Sequence, residues 1–363
     1  MSAGAETTAE TAAEPRIVVH EGMAAVEAAL GDELATLVGD ERAAQWRLPR
    51  GGYAPTLWVD VVDGAPRAAA LTTGRPATAA TTLVDPWWAD EGALQRLVAS
   101  ITDDARARGT VALKWRGETV PPVLDGFMPL RAPFGAVGTE DVRGAVRWLS
   151  AIPHAEPGYY AQTTLFTCGA VAALMGAGVR GVGGFAADGA DRDRELDYWR
   201  RATNFPACEP IGLGVATAEH LGAGAVEIAL DTAGPVLLEE YEGFDRSFRA
   251  ELQAESVRRA EELGVRLDRR RVDVAEIARR VAGGELALLL IDEEPMHAVH
   301  GPHWVLAHAS DGCDVVVIED PWVNRESGET WVDVHELPIR LADLDRLVRW
   351  SDEDYRGVVF VGE

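Results

Sequence analysis

Apolar positions recur along the chain at two alternating periods, and the switches between them outline two successive stretches of mixed helix and strand. Residues 23–38 (MAAVEAALGDELATLV) hold apolar positions at helical spacing, after which TLWVDVV (56–62), PRAAALTT (66–73) and ATAATTLV (77–84) predict strands between polar turns. EGALQRLVASITDDARARG (91–109) predicts an amphipathic helix that stops at Gly109, followed by the strand VALKW (111–115) and a turn at Gly126-Phe127. The proline-bearing segment AIPHAEPGYY (151–160) interrupts the pattern and marks a boundary.

After the boundary, Cys168-Gly169 is followed by AVAALM, a run of good helix formers, so Cys168 is expected to head a helix. Gly181–Gly184, ELDYWRRATNF (195–205) and the Cys208–Gly212 turn predict loop and helix pieces. VEIAL (226–230) and GPVLLEE (234–240) are expected as short strands, and FDRSFRAELQAESVRRAEELG (244–264) as a long surface helix with opposed charges. VAEIARRVAGG (274–284) leads into a buried strand, LALLLID (286–292). HWVLAHAS (303–310) and CDVVVIED (313–320) flank Asp311-Gly312 as a hairpin, and RGVVFVG (356–362) adds a last strand.

The organisation expected is a disordered tail over 1–15, rich in Ala, Thr and Glu without an aromatic anchor; an α/β domain over 16–150; and an α+β domain over 151–363 with a helical insertion at about 185–284. A length of 363 residues exceeds the size at which a single core stops growing. The formal net charge of −25 argues against nucleic acid and anionic membranes as partners, because both would repel such a surface. No basic-then-apolar leader and no run of about 18 apolar residues is present, and the three scattered cysteines form no disulfide framework or Cys-x-x-Cys clip. A cytoplasmic protein is expected, with its oligomeric state left open.

Asp-Gly is the preferred pair for a type I′ hairpin, in which residues 310 and 313 would pair and His303 would stand directly opposite Asp320, with Cβ atoms about 5 Å apart. An imidazole and a carboxylate so placed form half of a catalytic triad. Cys168 offers the nucleophile, since a helix N-terminus and a nearby imidazolium together lower a thiol pKa from about 8.5 into roughly the 3.5 to 7.5 range. Gln162, with the Cys168 backbone N–H, would supply two donors to an oxyanion. Other roles stay open for these residues. Asp320 can serve as a turn residue before Pro321, and Gln162 can cap the helix. Cys208, beside Glu209, and Cys313, at the turn, are expected to be structural. His297, His300 and His303 recur every third residue and with Asp320 could gather a metal, although Pro295 and Pro302 oppose the helix that would do so.

Gln162, five residues, Cys168-Gly169 opening a helix, a later His303 at the start of a strand, and Asp320-Pro321 at the end of the next strand together resemble the papain-like cysteine peptidase superfamily. Within it the pattern is most similar to the bacterial peptidases that process double-glycine leader peptides. The resemblance implies a cysteine-bearing helix packed on an antiparallel sheet that carries His and Asp. It also implies Gln162 in the oxyanion hole, Cys168 as nucleophile, His303 as base and Asp320 as the orienting acid. The interval from Cys168 to His303 is longer than that family leads one to expect.

The element order of the first domain resembles the GNAT acyltransferases, in which a glycine-rich loop before this helix holds the acyl-CoA pyrophosphate. Here that turn, Asp85 to Gly92, carries two indoles and three carboxylates, so a degenerate accessory domain without a CoA site is expected. No cofactor and no metal are assigned. The function expected is cysteine-dependent hydrolysis of a peptide or amide bond through a thioester. Transfer of the same acyl group to an amine is the alternative, and a catalytically idle binding module the second.

Overall fold

The computed structural model describes residues 14–135, 142–202, 206–350 and 354–362, and within them the chain builds two seven-stranded sheets. The expected tail lies outside the described residues except for Glu14 and Pro15. The first sheet comprises β1 (Arg16–Glu21), β2 (Thr56–Val62), β3 (Ala65–Thr73), β4 (Ala80–Trp88), β5 (Ala112–Gly117), β6 (Met128–Pro129) and β7 (Arg143–Trp148). Their order is β1-β2-β3-β4-β5-β7-β6, and only β4 and β5 pair in parallel. Three short helices, α1 (Met23–Ala29), α2 (Asp32–Val38) and α3 (Asp40–Trp46), cover one face, where Val26, Leu34 and Trp46 meet Leu57, Val59 and Leu71. Helix α4 (Glu91–Ala107) crosses the other face and buries Leu94, Leu97 and Ile101 on Trp58, Ala68 and Trp115.

Two sequence expectations need correction here. The 23–38 helix is broken, because Gly31 takes extended backbone and starts α2, so Val26 and Leu34 reach one core from two helices. The turn expected at 85–92 is half strand: β4 runs on through Trp88. Asp85, at φ 42°, forms a bulge where the pairing slips between Ala69↔Trp87 and Leu71↔Val84. Strand β1 and helix α3 carried no expectation.

The second sheet comprises β8 (Val226–Leu230), β9 (Arg266–Asp268), β10 (Leu286–Asp292), β11 (Pro302–Ser310), β12 (Val315–Glu319), β13 (Leu337–Arg340) and β14 (Gly357–Val361), in the order β13-β12-β11-β10-β14-β8-β9. Its longer helices are α5 (Cys168–Val179), α6 (Asp191–Ala202), α7 (Pro210–Leu221), α8 (Gly243–Leu263) and α9 (Val274–Ala282). Residues of α5 and α7 pack with Leu286, Leu288, Leu290 and Leu306, while α9 packs on the opposite face with Ala287, Leu289, Ile291 and Val305. Both faces of β10 are thus covered, which is why its seven residues read as one apolar run and are all buried. The stretch 185–284 is not only helical, since β8 and β9 extend the sheet edge. Residues 234–240 form no strand: both sides of β8 are already paired, and the Gln253 amide bonds the Val236 N–H and carbonyl (2.8 and 2.7 Å) in place of a ladder. Among the described residues no helix is long and apolar enough to cross a membrane.

Buried cations join the two sheets. Lys114 on β5 donates to the carbonyls of His335 (2.7 Å) and Asp333 (3.1 Å), and Arg116 to Asp333 Oδ2 (3.0 Å) and the Gly328 carbonyl (2.6 Å). Arg50, 1% exposed, lies against the same glycine. Gly328 has φ 72°, and a Cβ there would sit 2.2 Å from Arg50 Nη2 and 2.6 Å from Leu48 Cδ1, so the position excludes a side chain on two counts. Gly328→Ala is expected to cost about 2 kcal/mol or more in denaturant unfolding, whereas Gly224→Ala, in open space and without positive φ, is expected to stay within about 0.5 kcal/mol.

Candidate functional site

Helix α5 is apolar on all sides, and ten of its twelve residues are buried, so it runs through the interior with Cys168 at its first position. Gly169 lets the helix start close to the sheet: a Cβ there would lie 3.2 Å from Cys208 Cβ, Cys208 Sγ and Trp304 Cδ1. Trp304 donates its indole N–H to the Cys208 carbonyl (2.9 Å) and ties β11 to the segment before α7. The thiol therefore lies at the positive end of a buried helix, beside the end of β11 where His303 begins.

The hairpin that carries His303 and Asp320 differs from the expected one. Only Gly312 has the positive φ that a type I′ turn demands at both central residues. Asp311 Oδ1 instead accepts from the amides of Cys313, Asp314 and Val315 (2.9, 2.9 and 3.0 Å) and organises a wider loop, so Ser310 pairs with Val316 rather than Cys313. A bulge then intervenes. Beyond Ala309↔Val317 the strands pair as Ala307↔Ile318 and Leu306↔Glu319, which leaves His308 as the extra residue. Continuing the register before the bulge would set Asp320 opposite Leu306, on the face His303 does not share. With the bulge, Asp320 falls opposite Val305, one diagonal step from His303 on the same face. The direct opposition expected is thus replaced by a diagonal one, and the side chains close it: His303 Nε2 lies 2.7 Å from Asp320 Oδ1.

With Nε2 committed to Asp320, His303 has Nδ1 left, and the Cys168 thiol lies close enough to the ring to raise its pKa. Burial opposes the charge on the imidazole, yet Asp320 and then Cys168 hold its pKa well above the ordinary histidine value. Burial likewise pushes the Asp320 carboxyl up, but His303 and Arg75 bring it well below the usual carboxylate range. Asp320 is fully satisfied. Oδ1 also accepts from the Trp322 amide (2.8 Å), Oδ2 pairs with Arg75, and its carbonyl accepts from the Tyr159 hydroxyl (2.9 Å).

Arg75 comes from the loop after β3, in the other sheet. It is buried with Asp320 on one side and Glu329 on the other, and donates to Glu329 Oε1 (2.8 Å) and the Trp322 carbonyl (3.1 Å). Glu293, at the end of β10, sets Oε1 3.7 Å from His303 Nδ1, and burial raises its pKa, with His303 partly offsetting the rise. Sequence reasoning missed both. No local pattern points to Arg75, which meets its partners across about two hundred and fifty residues of chain.

Gln162 lies on the loop before α5, and its amide N–H donates to the Pro321 carbonyl (2.9 Å), which places it beside the Asp320 segment. Its Nε2 donates to the Thr164 carbonyl (2.8 Å), leaving one N–H hydrogen for another acceptor. The loop is shaped by Glu195, fully buried on α6, whose carboxylate accepts from Thr163 N (2.8 Å), Thr163 Oγ1 (2.7 Å), Tyr160 Oη (3.1 Å) and Thr167 Oγ1. The signal for Glu195 was present, since it shares helical spacing with the buried Tyr198 and Ala202. A cleft of about 200 Å³ opens on the Gln162 side between Thr164, Trp322 and Arg325, and one of about 90 Å³ on the other side against Glu239, Glu240, Pro302 and Trp350.

The remaining candidates separate from this group. His297 faces Tyr53 (Oη–Nδ1 3.4 Å) and stacks on Trp322, His300 pairs with Asp292 (2.8 Å), and only His303 reaches Asp320. Cys208 is buried beside Cys168, and burial, then Cys168 and Glu209, push its thiol up. Cys313 is exposed in the hairpin loop.

In chemical terms, the arrangement sets a thiol at a helix N-terminus against an imidazole whose far nitrogen is held by a buried carboxylate. No curated protein matches the chain. Solved structures similar to part of it include a GNAT-family acetyltransferase from Staphylococcus aureus Mu50, at 10% identity, covering 38% of this chain and 100% of that one with a TM-score of 0.27. Another is N-acetylglutamate synthase from Neisseria gonorrhoeae, at 15% identity, covering 38% of this chain and 36% of that one with a TM-score of 0.24. Residues 157–362, more than half of the sequence and the part that holds Cys168, His303 and Asp320, match a peptidase-related family: the chain belongs to the Peptidase_C39 like family.

Proposed function

We propose that the chain is a cysteine-dependent hydrolase of a peptide or amide bond, with a papain-like arrangement over 151–362 and a degenerate GNAT-like accessory domain over 16–150. The observation that carries this reading is one imidazole bridging a helix-heading thiol and a buried carboxylate. His303 takes the thiol proton and Cys168 Sγ attacks the carbonyl carbon. The free N–H of Gln162 and the Cys168 amide hold the oxyanion. Collapse of the tetrahedral intermediate breaks the C–N bond as His303 returns the proton to the leaving amine. Water, deprotonated by His303, then cleaves the thioester and restores the thiol. Asp320 fixes the ring so that Nδ1 faces sulfur, and Arg75 positions Asp320. Glu293 beside His303, and Glu239 and Glu240 in the cleft at Pro302, favour a neutral or basic substrate segment. Three unpaired cysteines suit a reducing, cytoplasmic setting.

The accessory reading of the first domain rests on the start of α4. Asp90 caps that helix, its Oδ1 accepting from Ala93 N (2.9 Å), and Arg67 pairs with the same carboxylate (2.7 Å). The protein's own anion thus stands where a pyrophosphate would need free amides.

Turnover of a casein-derived peptide pool, read by amine release, is the direct test. Cys168→Ala and His303→Ala are expected to abolish it, Asp320→Ala to lower it by roughly 10² to 10⁴, and Asp320→Asn by less, because an amide oxygen still accepts from Nε2–H. Full turnover in Cys168→Ala would refute the thiol mechanism.

The pH profile supplies a second test. The folded pKa of His303 is raised, so the imidazolium persists as pH rises through 6.5 and is lost only at higher pH. The alkaline limb of kcat/KM should therefore lie well above pH 6.5 in the wild type and move down towards it in Asp320→Asn. An unmoved limb would remove Asp320 from its role.

Arg75→Met strands two buried carboxylates and is expected to cost about 3 to 5 kcal/mol of unfolding free energy. Arg75→Lys keeps the charge but not the fork, so it should fold and lower kcat with KM unchanged, whereas wild-type kinetics would show that Arg75 is structural only. Calorimetric titration with acetyl-CoA up to millimolar concentration should show no saturable heat, and a micromolar Kd would restore the acyltransferase reading of the first domain.

A further inference from the structure

A second group of ionisable side chains lies behind the hairpin, where strand alternation turns Glu319 away from its neighbour Asp320. His308, the bulged residue, places Nε2 3.2 Å from Glu319 Oε1. One ligand-type atom each from His308, Glu319 and Glu336 lies within 4.8 Å of the others. All three side chains are shut from solvent, at 2% exposure or less.

Two atoms of these three side chains are buried without a hydrogen bond, His308 Nε2 and Glu336 Oε1. Buried polar atoms are normally satisfied, so two in one cluster mark a missing partner. Glu336 is moreover held at φ 56°, an unfavourable backbone for a residue with a Cβ.

The surrounding groups already form the outer layer that a metal site needs. Glu319 Oε2 accepts from His335 Nδ1 (2.6 Å), and His335 Nε2 donates in turn to Glu156 Oε1 (2.9 Å), while Glu319 Oε1 accepts from the Glu336 backbone N–H (3.1 Å) and keeps its second lone pair towards His308. His154 lies with Nδ1 2.7 Å from the Ile152 carbonyl and Nε2 2.5 Å from Glu336 Oε2, so that oxygen is already partnered and Oε1 is the one left for a ligand. Ligands about 2.0 to 2.2 Å from a tetrahedral ion lie roughly 3.3 to 3.6 Å from one another, close to the 3.2 Å between His308 and Glu319. Imidazole and carboxylate together suit zinc better than magnesium or calcium.

We propose that His308, Glu319 and Glu336 bind a zinc ion. The three donors are shut from solvent behind the hairpin, so the site is structural and separate from the Cys168 group. The ion joins the β11 bulge, the end of β12 and the residue before β13. It would lock the register that puts Asp320 beside His303.

Protein purified without chelator is expected to carry about one zinc ion per chain by elemental mass spectrometry. After stripping, cobalt(II) titration should give a saturable visible absorption of tetrahedral type that zinc displaces, and zinc should raise the Tm of the stripped protein. Glu336→Gln, which preserves shape, should weaken cobalt binding by about 100-fold or more, and His308→Ala should abolish the absorption. Glu294→Gln, in the exposed Asp292–Glu294–His300 group, should leave both readouts unchanged. Absence of zinc together with absence of a cobalt spectrum in the intact wild-type chain would overturn the proposal. So would full metal occupancy in the Glu336→Gln, His308→Ala double variant.

Discussion

One buried guanidinium governs how the two halves of this molecule meet. Arg75 leaves the first sheet and is enclosed between Asp320 and Glu329, so two carboxylates that would repel each other share one cation. Lys114 and Arg116 repeat the arrangement along the segment that ends at β13, and Lys114 is buried deeply enough that its pKa falls to about 8. In a chain with net charge −25, cations sequestered in the interior are costly to desolvate and are retained only against specific partners. The exchange is reciprocal. The second half offers carboxylates that need countercharge to be buried, and the first half offers the countercharge at fixed points. A docked position slipped by one residue would leave several charges unpaired, which fixes orientation more sharply than apolar contact alone.

The parts of the site legible in the sequence are those with a local signal. Cys168 could be placed because good helix formers follow it at once, and the strands bearing His303 and Asp320 because β-branched runs flank a turn. The pairing between them was not legible at residue level. Asp311-Gly312 has the letters of a two-residue turn, but an aspartate can also gather amides with its side chain, and here three amide contacts outweigh the tighter geometry. The wider loop alone would have turned Asp320 to the wrong face, and the bulge at His308 restores the parity. Pairing letters cannot reveal two irregularities that cancel.

Arg75, Glu293 and Glu195 show a different limit. Arg75 acts through distant chain, and nothing beside Gly74-Arg75-Pro76 distinguishes it from an exposed loop arginine. Glu195 was more accessible, since its spacing to Tyr198 and Ala202 marks an inward position and a carboxylate so placed must have donors. In the first half, the 23–38 run read as one helix because side-chain periodicity survives a short break, while the backbone at Gly31 does not.

The order of these residues along the chain also bears on when the thiol acquires its neighbours. Domains fold as units during synthesis, N-terminal first, so the sheet that carries Arg75 can form before Cys168 leaves the ribosome. Cys168 then emerges on its helix well ahead of His303 and Asp320, which lie on one of the last hairpins made. Until that hairpin pairs and docks on Arg75, Cys168 lacks His303 beside it and the ring lacks Asp320. The grouping of these three side chains is therefore among the last features of the fold to form.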